Sequence, residues 1–245
     1  MEKERLDQVE EDNMHTTIAI WKKQVWDTSK NKTILIQLVL FPVITVIMNY
    51  AVKMEDMPEL SYLKLFSIMY LAMAPITSMS AIISEEKEKG TLRALMMSYV
   101  RPWEYLLGVG AYVFCCCTIG TVFMSKGCGM EGQAWNRYMA VMAVGMVISI
   151  LLGAAIGMWS KDQMSATSLQ VPVMCVFSFL PMIAQFNDQV ARVGKFFYTQ
   201  QLYNIVLDIE NVKISMENVV IIGANALLIL VFFFLAYRKE GLSKD

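Results

Sequence analysis

The chain of 245 residues is 56% hydrophobic and 18% charged, with a mean hydropathy of +0.45. A soluble domain of this length needs a charged surface to meet water. Here the charges gather in short islands between long apolar stretches, which suits a bilayer, and a formal net charge of −1 carries no signature of a nucleic-acid partner.

Residues 1–12 are charged and lack the apolar region of a cleaved signal peptide, so insertion is expected to rely on internal helices. Residues 13–31 predict an amphipathic helix. Ile18, Trp21 and Val25 recur at helical spacing with Trp26 beside them, and Lys22, Lys23, Asp27 and Lys30 fill the polar side. Such a helix suits the membrane interface and equally a protein surface.

Six stretches follow, each near the ~20 residues that a bilayer core requires: 33–52, 63–84, 103–125, 138–158, 169–187 and 219–237. Pro172 and Pro181 interrupt the fifth, and Pro42 and Pro75 are expected to kink the first and second. The predicted fold is an all-α polytopic membrane protein. It has an N-terminal cytoplasmic segment over 1–31, a six-span domain over 32–238 and a tail over 239–245. Of the 21 Lys and Arg, fourteen fall on the side shared by both termini and the loops after spans two and four. That asymmetry predicts cytoplasmic termini.

The segment Ser84 to Glu104 joins the second and third spans. Span two is expected to run on as a charged helix and break at Gly90, where a non-helical backbone costs little. Thr91 can then cap a short helix whose Leu92, Leu95, Met96 and Tyr99 share one face. Pro102 ends it and opens the third span, with Trp103 and Tyr105 at interfacial depth. The apolar face must either rest among lipid headgroups or dock into a groove on a soluble partner.

Glu86-Lys87-Glu88-Lys89-Gly90-Thr91-Leu92, followed by Arg101-Pro102-Trp103-Glu104 and Leu106-Leu107-Gly108, resembles the signature loop of ABC type-2 permeases. Arg93 stands where an acid is common in that family, and Val109 where a lysine is common. Leu180-Pro181 and the amphipathic stretch through Phe196, Phe197 and Tyr198 to Tyr203 are similar to the family's partly re-entrant outer segment. The resemblance implies that two permease subunits pair, as a homodimer or heterodimer, within the lipid bilayer. Each would engage a separate ATP-hydrolysing subunit through a coupling helix at 91–100. Its contact residues would be Glu88, Gly90, Thr91, Leu92, Leu95, Met96 and Tyr99. The helix at 13–31 would be the connecting helix, with Ile18, Trp21, Val25 and Trp26 packed near the same contact. This chain would bind no cofactor, and ATP and Mg would sit on the partner. Nucleotide would bias a two-state element that opens a cavity alternately inward and outward.

No G-x-x-x-x-G-K-[ST] loop occurs; before Gly194-Lys195, Gln189 replaces the first glycine, and Phe196 follows the lysine. ATPase activity is therefore expected from another chain. Glu85-Glu86 resembles half of the glutamate motif of intramembrane proteases, which also need histidines within the membrane. The single histidine is His15, in the N-terminal helix. No metal site is expected. Cys115, Cys116 and Cys117 point in different directions on a helix, and Cys128 and Cys175 lack a C-x-x-C partner, so cysteine serves as apolar filler or, at a boundary, as an acylation site.

Asn49, Ser78, Ser80, Thr118, Thr121, Gln170 and Asn225 are expected to hydrogen-bond between helices. Gly145, Gly153, Ala154 and Gly157 should bring the fourth span close to a neighbour. A nearly charge-free interior favours an amphipathic or hydrophobic cargo, by the resemblance an antimicrobial peptide, drug or lipid exported across the cytoplasmic membrane. Two other classes stay open. An immunity or assembly factor would show no nucleotide-dependent change, and a secondary carrier would need an ion gradient.

Overall fold

The computed structural model describes residue 21 and residues 32–52, 60–92, 102–211 and 215–242. Each apolar stretch forms one helix: α1 (Lys32–Ala51), α2 (Ser61–Glu88), α3 (Pro102–Gly127), α4 (Gly132–Trp159), α5 (Gln163–Ala184) and α8 (Met216–Leu242). All six are long and apolar enough to cross a bilayer. Two shorter helices, α6 (Asp188–Gly194) and α7 (Tyr198–Leu207), and a 3₁₀ turn at Ile209–Asn211 lie between α5 and α8. Among the described residues there is no strand.

The helix ends depart from the expected ones where polar residues extend a helix beyond its apolar run. α4 starts six residues earlier than predicted, and α5 starts at Gln163 because Asp162 caps it. Pro172 and Pro181 lie inside α5 without ending it. Pro42 likewise lies inside α1. It offers no N–H to the Leu38 carbonyl four residues earlier, and the Tyr70 hydroxyl of α2 donates to that carbonyl at 3.3 Å. A neighbouring helix thus supplies the bond that proline removes.

α2 stands at the centre. It packs most extensively on α4 and α5, with α1, α3 and α7 around it, while α8 covers α4 and α7. The most apolar window of α2 is 83% buried, against 61% for α4 and 17–33% for the other spans. Small residues of α4 bring it against α2: a Cβ added to Gly153 would lie 2.6 Å from the Ile76 carbonyl oxygen, and one on Gly157 2.9 Å from the Ile83 Cβ. Both glycines therefore let two backbones approach closely.

Hydroxyls and cations tie the remaining elements to this pair. Ser67 and Tyr138 share a hydrogen bond of 2.5 Å between α2 and α4, and Ser149 and Tyr198 one of 2.8 Å between α4 and α7. At the end of the bundle away from the α2–α3 loop, Lys64 donates to the Leu207 carbonyl at 2.9 Å and Arg137 to the Glu210 carbonyl at 2.6 Å. These cations meet carbonyls that the chain leaves unpaired where α7 and the 3₁₀ turn end.

The span polar residues only partly follow expectation. Thr118 reaches the Met146 sulfur on α4, and Asn225 of α8 donates to the Phe196 carbonyl at 2.8 Å. Thr121 instead bonds the Cys117 carbonyl of its own helix, the geometry in which a hydroxyl back-bonds one turn earlier. Ser78 Oγ, Ser80 Oγ and Gln170 Oε1 are buried with no hydrogen-bond partner among the described residues. Of the three adjacent cysteines, Cys117 is buried, Cys116 half-buried and Cys115 exposed, as three consecutive positions on one helix require.

Candidate functional site

The charged run Glu85–Lys89 carries α2 past the bundle. At 1.5 Å per residue the 28 residues of α2 span about 42 Å, roughly 12 Å more than a hydrocarbon core. The helix closes where the Lys89 N–H donates to the Glu85 carbonyl and the Gly90 N–H to the Lys87 carbonyl, each at 3.0 Å. Gly90 then turns to φ +70°, the left-handed conformation that glycine adopts without penalty. The backbone is helical again at Thr91. The Thr91 hydroxyl donates back to the Glu86 carbonyl at 3.1 Å, so it serves an orphan carbonyl at the end of α2. Leu92 is buried in the main core at 4% exposure.

Two side chains of the run reach the turn between α4 and α5. Lys87 Nζ donates to the Met158 carbonyl at 2.8 Å and the Ser160 carbonyl at 2.5 Å. The Glu88 carboxylate accepts the Gln163 N–H at 3.1 Å. The C-terminal carbonyls of α4 carry partial negative charge and the N-terminal N–H groups of α5 partial positive charge. Adjacent residues of α2 thus present each helix end with the opposite charge.

The turn between them is itself fixed. Asp162 caps α5 by accepting the Ser165 N–H at 2.7 Å, and the Asp162 N–H donates to the Ser165 hydroxyl at 3.2 Å, a reciprocal capping box. The Ser165 backbone bond, with help from its hydroxyl, holds the Asp162 carboxyl below the usual carboxylate range. The last turn of α2, the last turn of α4 and the first turn of α5 form one hydrogen-bonded unit. By contrast, the exposed Lys89–Glu85 pair at 2.5 Å contributes no more than about 0.5 kcal/mol. Glu86 and Glu104, at the ends of α2 and α3 that flank this loop, are both buried.

The family model described as an ABC-2 family transporter protein matches residues 17–238. The chain belongs to that family. It is a multi-pass membrane subunit of the ABC transporter class. No curated protein matches the chain significantly.

Of the contact residues that the ABC-2 resemblance names, Glu88, Gly90, Thr91 and Leu92 are placed as described above. Leu95, Met96 and Tyr99 lie outside the described residues, as do Ile18, Val25 and Trp26 of the connecting helix. Trp21 is described: it is 38% exposed and sets its ring edge-on to Tyr112 of α3, centroids 6.4 Å apart. The roles of Lys87, Asp162 and Ser165 escape a reading of the sequence, although Asp162-x-x-Ser165 is a legible capping signal. Among the described residues no three His, Cys, Asp or Glu side chains cluster as metal ligands. The arrangement links the end of α2 to the ends of α4 and α5 by three side-chain hydrogen bonds.

Proposed function

We propose that this ABC-2 protein is the permease half of an exporter in a cytoplasmic membrane, driven by ATP that a separate subunit hydrolyses. Two permease subunits pair, with their termini and the α2–α3 loop on the cytoplasmic side. The ATPase subunit docks on residues 91–100, with Leu95, Met96 and Tyr99 as its apolar contact. Closure of the ATPase dimer pushes this segment. The bridge from Lys87 and Glu88 to the α4–α5 turn is the observation that carries the reading. It converts movement of one loop into movement of α2, α4 and α5 together, and the centre of the bundle must rearrange with them.

The cargo is amphipathic or hydrophobic, with a peptide or drug favoured over an ion, because the described spans carry few charges away from their ends. The test is affinity purification of the chain in mild detergent, with identification of co-purifying proteins and an ATPase assay. An ATP-binding-cassette subunit should co-purify and be lost on Tyr99→Asp. A preparation with no such partner and no response to nucleotide would overturn the permease reading in favour of a membrane factor or an ion-driven carrier.

A further inference from the structure

The segment between α5 and α8 turns back into the bundle through α7. At one end of α7 the Leu207 carbonyl accepts from Lys64 Nζ. Further along, a Cβ added to Gly145 would meet the methyl ends of both Leu71 and Leu202, and deeper still the Tyr198 hydroxyl meets that of Ser149 on α4. α7 therefore runs beside α2 and α4 with its N-terminus as the deep end. From Tyr198 to Leu207 it rises about 14 Å, close to half of a hydrocarbon core. Tyr198, Thr199, Gln200 and Gln201 are all buried.

A buried helix N-terminus needs acceptors for its first N–H groups. Phe197, at the N-cap, offers no side-chain bond, and the first bond of the helix is that of the Gln201 N–H to the Phe197 carbonyl at 3.2 Å. The carbonyls one turn earlier are engaged elsewhere. Gly194 accepts from the Phe197 N–H, Lys195 from the Gln201 side chain and Phe196 from the Asn225 side chain. Among the described residues no hydrogen bond serves the N–H groups of Tyr198, Thr199 and Gln200.

The side chains give a second, independent observation. The hydroxyls of Thr199 and of Ser178 on α5 belong to residues no more than 1% exposed and have no partner among the described residues. Thr199 is the second residue of α7, where the Cα–Cβ bond tilts toward the N-terminus. Ser178 adjoins Phe177, whose ring centroid lies 5.2 Å from that of Tyr198 and 5.3 Å from that of Phe197. Gln200 Oε1 is unpaired as well, but it is an acceptor and lies on the side of Gly194 in α6. Donors thus outnumber acceptors at this end, and the helix dipole adds partial positive charge. None of α4, α5 and α7 carries an acid to meet it.

We propose that the deep end of α7 binds one carboxylate, held by the first N–H groups of the helix and the hydroxyls of Thr199 and Ser178. A helix that ends inside a membrane protein favours an anionic group at its N-terminus in this way. The carboxylate can belong to the cargo, as the end of a peptide, or to a small acid in solution. The site rests on the geometry of α7; only the cargo as source rests on the permease reading above.

The test follows hydrogen exchange of the Tyr198, Thr199 and Gln200 amides in the full chain, held in lipid nanodiscs at neutral pH. Sodium formate is added at constant ionic strength, with chloride and formamide as comparisons. Formate should slow these amides saturably, by about tenfold, with neither comparison matching it and with residues 204–207 unchanged. Thr199→Val and Ser178→Ala each remove one donor to a charged group and should raise the half-saturating formate concentration about tenfold. Their thermal stability without formate should not fall, because an unpaired buried hydroxyl contributes no bond to lose, so lost protection reports the site and not the fold. Protection that formate shares with chloride or formamide, or that survives both substitutions, would overturn the proposal and leave water as the partner of these groups. N-acetyl-leucyl-leucine and its amide then separate the two sources. An acid that protects at a lower concentration than formate, with an inactive amide, makes a peptide-like cargo the source, and an acid no better than formate makes it a small free carboxylate.

Discussion

Gly90 allows backbone strain to be separated from steric clash at the loop. A Cβ built on it meets no atom of the described residues within 4 Å, so a substituted side chain clashes with none of them. What remains is the left-handed backbone at φ +70°, which costs an L-residue about 1–2 kcal/mol. Gly90→Ala should therefore shift the loop equilibrium about tenfold away from its native turn, Gly90→Asn less, because asparagine tolerates this conformation, and Gly90→Val more, because it is β-branched. The readout is hydrogen exchange of the Lys89 amide, whose bond to the Glu85 carbonyl closes α2, alongside the ratio of cargo moved to ATP consumed. Exchange should quicken in the order Asn, Ala, Val, about tenfold for Ala, with the transport ratio falling in step. A Val variant that exchanges and transports like the wild type would refute the need for a left-handed residue at this break.

Lys87→Met removes a cation that donates to the Met158 and Ser160 carbonyls, a loss of about 1.5–3 kcal/mol. The Ser160 amide should exchange tenfold faster or more, and Lys87→Arg should restore much of the protection. Gly153→Ala places its Cβ against the Ile76 backbone, which cannot yield, and should destabilise the protein by about 1–3 kcal/mol; Gly145→Ala meets the methyl ends of Leu71 and Leu202, which can rotate, so thermal unfolding in detergent should show a smaller loss. Tyr70→Phe leaves the Leu38 carbonyl without its donor and should cost about 0.6 kcal/mol, seen as faster exchange in α1. Because the Asp162 carboxyl is held below its ordinary range, its cap is fully formed above that range and is lost as pH falls through the lowered value. The emission of Trp159, three residues away, should therefore be constant from neutral pH down to the carboxylate range and change below it, and Asp162→Asn should abolish that change.

Much of the architecture is legible in the sequence because a bilayer imposes a length and a polarity on each span. The break at Gly90 is legible too, since glycine reaches the left-handed conformation that closes a helix without penalty. Helix ends are less so: Gly132 to Arg137 and Gln163 to Ser168 extend α4 and α5 through polar residues that a hydropathy pattern leaves out. Pro42 is legible as a residue that strands a carbonyl, but the donor that serves this carbonyl, Tyr70, lies 32 residues away in sequence. The bridge from Lys87 and Glu88 is invisible for the same cause, since its partners lie 71 to 75 positions along the chain and a charged run on its own reads as a solvated face. Ser78, Ser80 and Gln170 are readable as polar groups within the spans, but their lack of a partner among the described residues follows only from how α2 and α5 pack.

The burial of α2 also constrains how the protein is made. α2 is the most enclosed of the six spans and, with α5, the least apolar, yet of the helices that enclose it only α1 precedes it in the chain. During synthesis the future centre of the bundle must therefore wait at its edge, facing lipid or the insertion machinery, until α4 and α5 emerge. Several of its hydroxyls are suited to that interval, because Ser67, Thr77 and Ser84 bond to the Leu63, Met73 and Ala81 carbonyls of α2 itself and need no neighbour to enter hydrocarbon. Ser78 and Ser80 have no such local partner. The nascent chain is thus most exposed to misinsertion or proteolysis between the emergence of α2 and that of α4, well before its last span is made.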